Sequence, residues 1–342
     1  MHVVYSDRHR LHPTDQPLPG YGRDYPEVPD RSEHIRFAVE AAWMGPLEAP
    51  TDFGMGPIEA VHSAGLLNHL QTAYAASRGD AGDGEPYIAH TFAVRGRRPT
   101  VDTTPGAFGA WAFDTGCPIF AGTWEASYWA TQAALTAAEH VRTAGGAAYA
   151  LVRPPGHHAG PNFHGGFCYT NHAAVAARYL QQQSGGRVAV LDIDYHHGNG
   201  TQEVFYADPQ VFFASLHADP AVEYPFYWGF ADERGEGDAV GANLNVPLPF
   251  GTDDGAYLKS LDGALAAVRD FAPKYLVLSA GFDLMLSDPV PRGGGFRITM
   301  DGLRQIAERA AGLGLPTVIV QEGGYNLERL GKYAVTLLRA FL

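Results

Sequence analysis

The sequence predicts an α/β fold in which a parallel sheet carries helices on both faces. Three observations predict it. From Thr123 onward, short apolar runs alternate with longer helical stretches, which is the rhythm of a parallel sheet. The runs are apolar almost throughout, as strands buried on both faces are. Each run also ends in a burst of polar residues, and ligands of open α/β sheets gather at the carboxyl ends of strands.

Taken in order, Val3–Tyr5 reads as a short strand, and residues 12–30, rich in Pro, Gly and Asp, read as a long surface loop. Ser32–Trp43 reads as a helix, and Pro57–Tyr74 contains another. Residues 77–122 change character, with glycine and arginine clusters and the aromatics Phe92, Phe108, Trp111, Phe113 and Phe120. The aromatics argue against disorder, so this segment is read as an inserted loop at the mouth of a site or against a second subunit. Thr123–Val141 is a long helix, Ala147–Val152 a strand, Asn171–Gln183 a helix and Arg187–Asp194 a strand. Thr201–Tyr206 is a short helix, and Val211–His217 is a strand that runs into the aromatic loop Tyr224–Trp228. Asp254–Phe271, Met300–Gly312 and Leu327–Phe341 are helices, with strands at Tyr275–Ser279 and Pro316–Val320.

The 342 residues, 46% of them hydrophobic, build a sizeable core and are read as one domain over 1–342. A formal net charge of −13 argues against nucleic acid and against anionic membrane surfaces as partners. Cys117 and Cys168 are too few for a disulfide framework, which suits a reducing cytoplasm. The start of the chain, Met1 to Leu11, has no apolar core of a secretory signal, and no run has the length of a membrane span. The expectation is a cytoplasmic protein.

The stretch from Val188 to Gly200 ends an apolar run in Asp192, Asp194, His196 and glycine. Residues two apart share a face of an extended strand, so Asp194 and His196 aim at one point with Asp192 behind them. The other strand ends supply His157 and His158, Ser215 and His217, Asp283, and Glu322 with Tyr325. Five neighbouring strand ends carrying such residues are hard to explain by packing. Asp194, His196 and Asp283 give two carboxylates and one imidazole, a three-ligand set that favours one Zn²⁺ per chain, with Fe(II), Co(II) or Mn(II) next. Hydrolysis at such a metal needs a base for water and an acid for the leaving group, and His157 and His158 are placed to serve. Asp192 and Asn199 are candidates to orient the two rings, and an acid behind one and an amide behind the other sets their basicities apart. Tyr325, after Gly323 and Gly324, is a donor for a tetrahedral oxyanion.

Arg153-Pro-Pro-Gly-His-His-Ala, Gly166-Phe-Cys-Tyr, Asp192-Ile-Asp-Tyr-His-His-Gly-Asn-Gly-Thr-Gln, Ser215-Leu-His, Gly281-Phe-Asp and Glu322-Gly-Gly-Tyr come in this order. Together they resemble the histone deacetylase superfamily, from about Tyr5 to the C-terminus. Chain length, Asn199 and the insertion before Gly122 look most like its bacterial acetylpolyamine amidohydrolases. The resemblance implies an arginase/deacetylase-like three-layer fold around an eight-stranded parallel sheet, and zinc on Asp194, His196 and Asp283. It makes His158 the general base and acid, His157 its electrostatic partner and Tyr325 the carbonyl-polarising donor. It implies a structural K⁺ on Asp192, Asp194, His196, Ser215 and Leu216, and a second one near Phe205, Asp208 and Val211. Gly166, Phe167 and Tyr224 would bind substrate, the two aromatics as walls of a narrow tunnel for a straight acylated amine. Separately, a homodimer is expected, with residues 77–122 shaping the tunnel mouth across it. His172 departs from the family's usual second asparagine. In polyamine deacetylases an acid of the insert meets the distal ammonium; Gly116 falls there, with Asp114 nearby.

Two rival readings remain. A ureohydrolase of the agmatinase kind needs a second metal, held by an acid where this chain has Gly198. A non-catalytic sensor of acylated ligands is expected to lose the donor or the base, yet Tyr325, His157 and His158 are all present. A serine hydrolase is disfavoured because no Gly-x-Ser-x-Gly elbow occurs.

Overall fold

The computed structural model describes residues 1–15, 18, 25–77, 84–93 and 104–342. Among the described residues the strands are β1 (His2–Tyr5), β2 (Leu47–Glu48), β3 (Ala147–Leu151), β4 (Val188–Asp192), β5 (Val211–Ala218), β6 (Asn243–Leu248), β7 (Tyr275–Ala280) and β8 (Thr317–Gln321). They form one eight-stranded sheet in the order β2-β1-β3-β8-β7-β4-β5-β6, and every pairing is parallel. The last two strands in sequence, β7 and β8, insert between β3 and β4. The ends of β3, β8, β7, β4 and β5 are therefore consecutive along one edge, where the sequence concentrates its polar residues. The register aligns them: Asp192 on β4 sits level with Ser215 on β5 and Ser279 on β7.

The helices are α1 (Asp30–Ala41), α2 (Gly56–Glu59), α3 (Ala64–Ser77), α4 (Thr104–Trp111), α5 (Thr123–Ala144), α6 (His172–Ser184), α7 (Asn199–Phe205), α8 (Asp254–Phe271), α9 (Met300–Ala311) and α10 (Leu327–Arg339). Alternate residues of each central strand face opposite layers. Ala189 and Leu191 of β4 join Leu261, Leu265, Ile306 and Leu337 from α8, α9 and α10, whereas Val188 and Val190 join Ala134, Val141, Ala174 and Leu180 from α5 and α6. That two-sided burial is why the strands read as unbroken apolar runs. Side-chain caps start the helices that leave the site: Asn171 for α6, Asp253 for α8 and Thr299 for α9 each accept a backbone N–H of the first turn. Each such cap contributes about 1 kcal/mol.

Several sequence expectations change here. β2 and β6 escape a reading by composition; β6 carries two asparagines and Pro247, which an edge strand tolerates. The helix expected over Pro57–Tyr74 is two, α2 and α3. Residues 12–30 are not a surface loop in their described part, since His12, Thr14, Tyr25 and Glu27 are buried. They run beneath the histidine loop after β3, where Arg153 needs acceptors. Arg153 donates to the carbonyls of His9 (2.7 Å) and His12 (2.9 Å), to Thr14 Oγ1 (2.7 Å) and to Glu27 Oε1 (2.8 Å). In the 77–122 segment, residues 78–83 and 94–103 lie outside the described residues. The rest holds α4 and packs Trp111, Ala112 and Ile119 against Leu66, Leu70 and Tyr169. No helix of the described residues is long and apolar enough to cross a membrane.

Candidate active site

The floor is a set of buried carboxylates preloaded by backbone N–H groups. Asp192 Oδ1 accepts Asp194 N (3.0 Å), Asp194 Oδ1 accepts His196 N (2.9 Å) and Asp194 Oδ2 accepts Gly323 N (2.8 Å). Asp283 Oδ1 accepts Tyr195 N at 3.1 Å. β4 ends at Asp192, so Asp194 and His196 converge through a turn rather than along an extended strand as the sequence spacing suggested. The convergence itself is present: His196 Nδ1 lies 3.0 Å from Asp283 Oδ2 and 3.4 Å from Asp194 Oδ1. One ligand atom from each of Asp194, His196 and Asp283 falls within 4.8 Å of the other two. Two glycines make room for this cradle. A Cβ at Gly281 would stand 2.0 Å from Asp194 Oδ2, and one at Gly323 would stand 2.6 Å from both Asp194 Oδ2 and Asp283 Oδ2. Two hard oxygens and one imidazole nitrogen around a buried point fit a single divalent cation.

The tandem histidines stand beside it, ring centroids 4.0 Å apart. His157 Nδ1 pairs with Asp192 Oδ2 (3.0 Å) and His158 Nδ1 with Asn199 Oδ1 (2.7 Å). Their loop is pinned by Glu322, whose Oε2 accepts Gly156 N (2.7 Å) and His157 N (3.1 Å). Burial opposes charge on both rings. At His157 the carboxylates of Asp194 and Asp192 overrule it and push the pKa up to about 10, so this ring is cationic. At His158 burial and the neighbouring imidazoles His157 and His196 push it well below the ordinary range, so this ring is neutral and able to accept a proton.

Tyr325 closes the far side. Burial holds its phenol protonated. Its backbone N–H donates to Asp288 Oδ2 at 2.6 Å, and the Arg31 guanidinium lies 4.6 Å from its ring centroid. Arg31 also donates to the carbonyls of Gly324 (2.6 Å) and Glu322 (2.7 Å), so it fixes the turn that presents the phenol.

Above the floor is a cavity of about 250 Å³ lined by His157, His158, Asp194, His196, Tyr325, Gly166, Phe167, Tyr224, Asp114 and Gly116. Gly166 has to be glycine: φ is +56° and a Cβ would stand 2.3 Å from His158 Cδ2. Phe167 is itself held at φ +70°, a strained position for a bulky residue and one typical of functional sites. Asp114 joins both walls. Its Oδ2 accepts Tyr224 Oη (2.7 Å) and Gly166 N (2.9 Å), and its Oδ1 accepts Gly116 N (2.8 Å).

Comparison with known proteins gives this geometry a family. The histone deacetylase domain matches residues 25–341. The chain is 44% identical to acetylpolyamine amidohydrolase 1 of Pseudomonas aeruginosa, over 99% of this chain and 98% of that one. It is 36% identical to the acetylpolyamine amidohydrolase of Mycoplana ramosa over 99% of both. The crystal structure of acetylpolyamine aminohydrolase from Burkholderia pseudomallei superposes with a TM-score of 0.93 at 41% identity, covering 100% of this chain and 98% of that one. The chain belongs to the histone deacetylase family. It is an enzyme of that family, and its α/β fold with an all-parallel eight-stranded sheet is that of the Burkholderia protein.

Other residues singled out from sequence take varied places in this deacetylase fold. Ser215 is buried beside Asp192, but its hydroxyl contacts His217 Nδ1 (2.8 Å). His217 does not face the cavity; it donates from Nε2 to the Gly229 carbonyl (2.8 Å) and ties down the aromatic loop. Around the expected second cation, Asp208 is held by Arg178 and Gln181, and the carbonyls of Phe205 and Asp208 accept the N–H groups of Asp208 and Val211. Only their remaining lone pairs are left for an ion. His172 bridges Thr131 Oγ1 (2.8 Å) to the Pro154 carbonyl (3.0 Å), so it buttresses the histidine loop from below. At Gly198 a side chain would meet Asp192 Oδ2 at 2.3 Å, which leaves no room for the second metal-binding acid of a ureohydrolase. Arg31, Glu27, Asp114 and Asp288 are the residues that sequence reasoning passed over as parts of the site. Only Asp114 carried a signal there, as the acid nearest the position where polyamine enzymes carry one.

Proposed function

We propose that the chain hydrolyses the acetamide of a linear acetylated amine, an acetylpolyamine before an acetyllysine side chain, to acetate and the free amine. The observation that carries this reading is the convergence of Asp194, His196 and Asp283 at the floor of the cavity that Asp194, His196, His158 and Tyr325 line. Asp194, His196 and Asp283 would hold Zn²⁺, with Fe²⁺ or Co²⁺ as alternatives. When bound, the ion supplies Lewis acidity toward the amide carbonyl and toward water. Neutral His158 takes the proton of the attacking water and returns it to the leaving nitrogen. Cationic His157, fixed by Asp192, stabilises negative charge beside it, and Tyr325 donates to the developing oxyanion. Phe167 and Tyr224 hold a straight alkyl chain between them. A structural K⁺ on Asp192, Asp194, His196, Ser215 and Leu216 belongs to the same reading; the buried, register-matched Asp192 and Ser215 support it. So does a homodimer built through the 77–122 segment, which sedimentation velocity tests. The names of the relatives and the narrow cavity favour a small substrate.

The test is a panel of acetylputrescine, acetylcadaverine, acetylspermidine and an acetyllysine peptide, with chelated and then zinc-reloaded enzyme. Turnover of the small amines that is lost on chelation and regained with zinc is expected. No acetate from any of the four with zinc loaded would overturn the reading.

A further inference from the structure

We propose that His2, Glu48 and His140 form a second divalent-metal site, at the opposite end of the sheet from the catalytic cavity. The three residues come from three elements: the first residue of β1, the edge strand β2, and the penultimate turn of α5. α5 ends at Ala144, just before β3 begins, so His2 and His140 lie where the strands start, and Glu48, the last residue of β2, reaches them from the sheet edge, whereas the catalytic residues lie where the strands finish.

The geometry is that of converging ligands. Glu48 Oε1 is 2.7 Å from His2 Nδ1, and Glu48 Oε2 is 2.8 Å from His140 Nε2. The two imidazoles are stacked, centroids 3.9 Å apart and 10° from parallel, and each puts a nitrogen on an oxygen of the same carboxylate. One ligand atom from each residue falls within 4.8 Å of the other two, the same criterion that the catalytic triad of ligands meets. Ligands about 2.0–2.2 Å from one ion stand roughly 3–3.5 Å apart, so a metal is admitted when these contacts open by a few tenths of an ångström and one imidazole, on its half-exposed side chain, tilts out of the stack to bring its in-plane lone pair to the ion. The side chains are 41%, 32% and 29% exposed, which leaves the outer face open for water to complete the coordination. Two imidazole nitrogens and one carboxylate select Zn²⁺, Ni²⁺, Co²⁺ or Cu²⁺ over Mg²⁺ and Ca²⁺.

A metal there would act as a clamp. β2 is two residues long and is paired to β1 only through Val3↔Leu47 and Val4↔Glu48. An ion bound by His2, Glu48 and His140 ties both strands to α5. Because it binds the folded chain alone, it raises thermal stability with metal concentration.

The experiment uses the tag-free full chain, saturated with zinc and then freed of excess. Two zinc ions per chain are expected in the wild type and one in His140→Ala, which keeps the wild-type kcat/KM on acetylcadaverine or whichever substrate proves best. Asp194→Ala keeps one zinc, and added zinc raises its Tm but not that of the Asp194→Ala/His140→Ala double variant. A wild type that holds a single zinc, lost in Asp194→Ala, overturns the proposal. So does a second equivalent that persists in His140→Ala. Neither result depends on the catalytic reading, because the Asp194→Ala arm needs no turnover.

Discussion

Glu27→Gln isolates one buried charge. The Glu27 side chain is fully buried, and its Oε1 accepts Arg31 Nη1 at 2.9 Å and Arg153 Nε at 2.8 Å; both arginines are buried as well. Glutamine keeps the shape and an acceptor oxygen, removes the charge and puts an NH₂ where Glu27 Oε2 has no hydrogen-bond partner. At contact distance and an effective dielectric constant near 20, each pair is worth about 4 kcal/mol of gross Coulomb attraction. What is lost on substitution is the balance that makes two buried guanidinium ions tolerable, and removing one member of a buried pair costs about 3–5 kcal/mol. Against a total stability of about 5–15 kcal/mol, that is a large fraction. The effect also reaches the chemistry, because Arg31 holds the carbonyls of Glu322 and Gly324 and lies against Tyr325. Loosening that turn by an ångström lowers kcat about 10²-fold with little change in KM. Urea unfolding and steady-state acetate release measure the two effects. A Glu27→Gln protein within about 1 kcal/mol of wild type and with an unchanged kcat would refute the reasoning.

Further outcomes follow from the walls and from the buried imidazoles. Asp114→Asn sets an amide NH₂ against one of three donors, and Tyr224→Phe removes one of them. Each raises KM for a linear acetylamine about tenfold, the scale of one hydrogen bond, more than it lowers kcat. The double variant falls short of the product of the two, and full additivity would show that Asp114 and Tyr224 do not act together. Stability falls as the pH drops from 6.5 to 5.0. Burial holds His9, His62, His69 and His172 down to about 4 and His164 to about 3, so below 6.5 the unfolded chain binds protons that the folded chain refuses. Each contributes roughly 1.4 kcal/mol per pH unit. Burial holds His12, His158, His197 and His217 down as well, whereas Glu322 and Asp288, held up to about 7, and Asp114, Asp192, Glu203 and Asp283, also raised by burial, pull the other way; the acids are six against nine histidines. Urea midpoints measured with chelator at both pH values test this, and a midpoint that rises at pH 5.0 contradicts it.

What the sequence made legible follows from range. α8 runs over the residues its apolar period marks, and the five strand ends stand side by side because each burst of polar residues follows its own strand. The partners of His157 and His158 were legible too, since Asp192 and Asn199 belong to the motif that carries the metal ligands. Contacts that no local pattern encodes were not. Arg31 reaches Gly324 across 293 positions, and Asp114 reaches Tyr224 across 110. Residues 12–30 look solvent-exposed by composition, yet Glu27 is buried, paired with Arg31 four residues on and with Arg153 across 126 positions. β6 was hidden by Pro247, whose cost at a sheet edge is small. The turn after Asp192 defeats strand periodicity and still brings Asp194 and His196 to one point, because backbone N–H groups of residues 194, 196 and 323 hold the carboxylates.

The most direct measurement compares zinc content and acetate release in wild type and Tyr325→Phe. A catalytic cation on Asp194, His196 and Asp283, served by a neutral His158 and a phenol, predicts that the variant binds zinc as the wild type does, with kcat lower by about 10²–10³. A zinc-loaded Tyr325→Phe enzyme at full speed would contradict that arrangement.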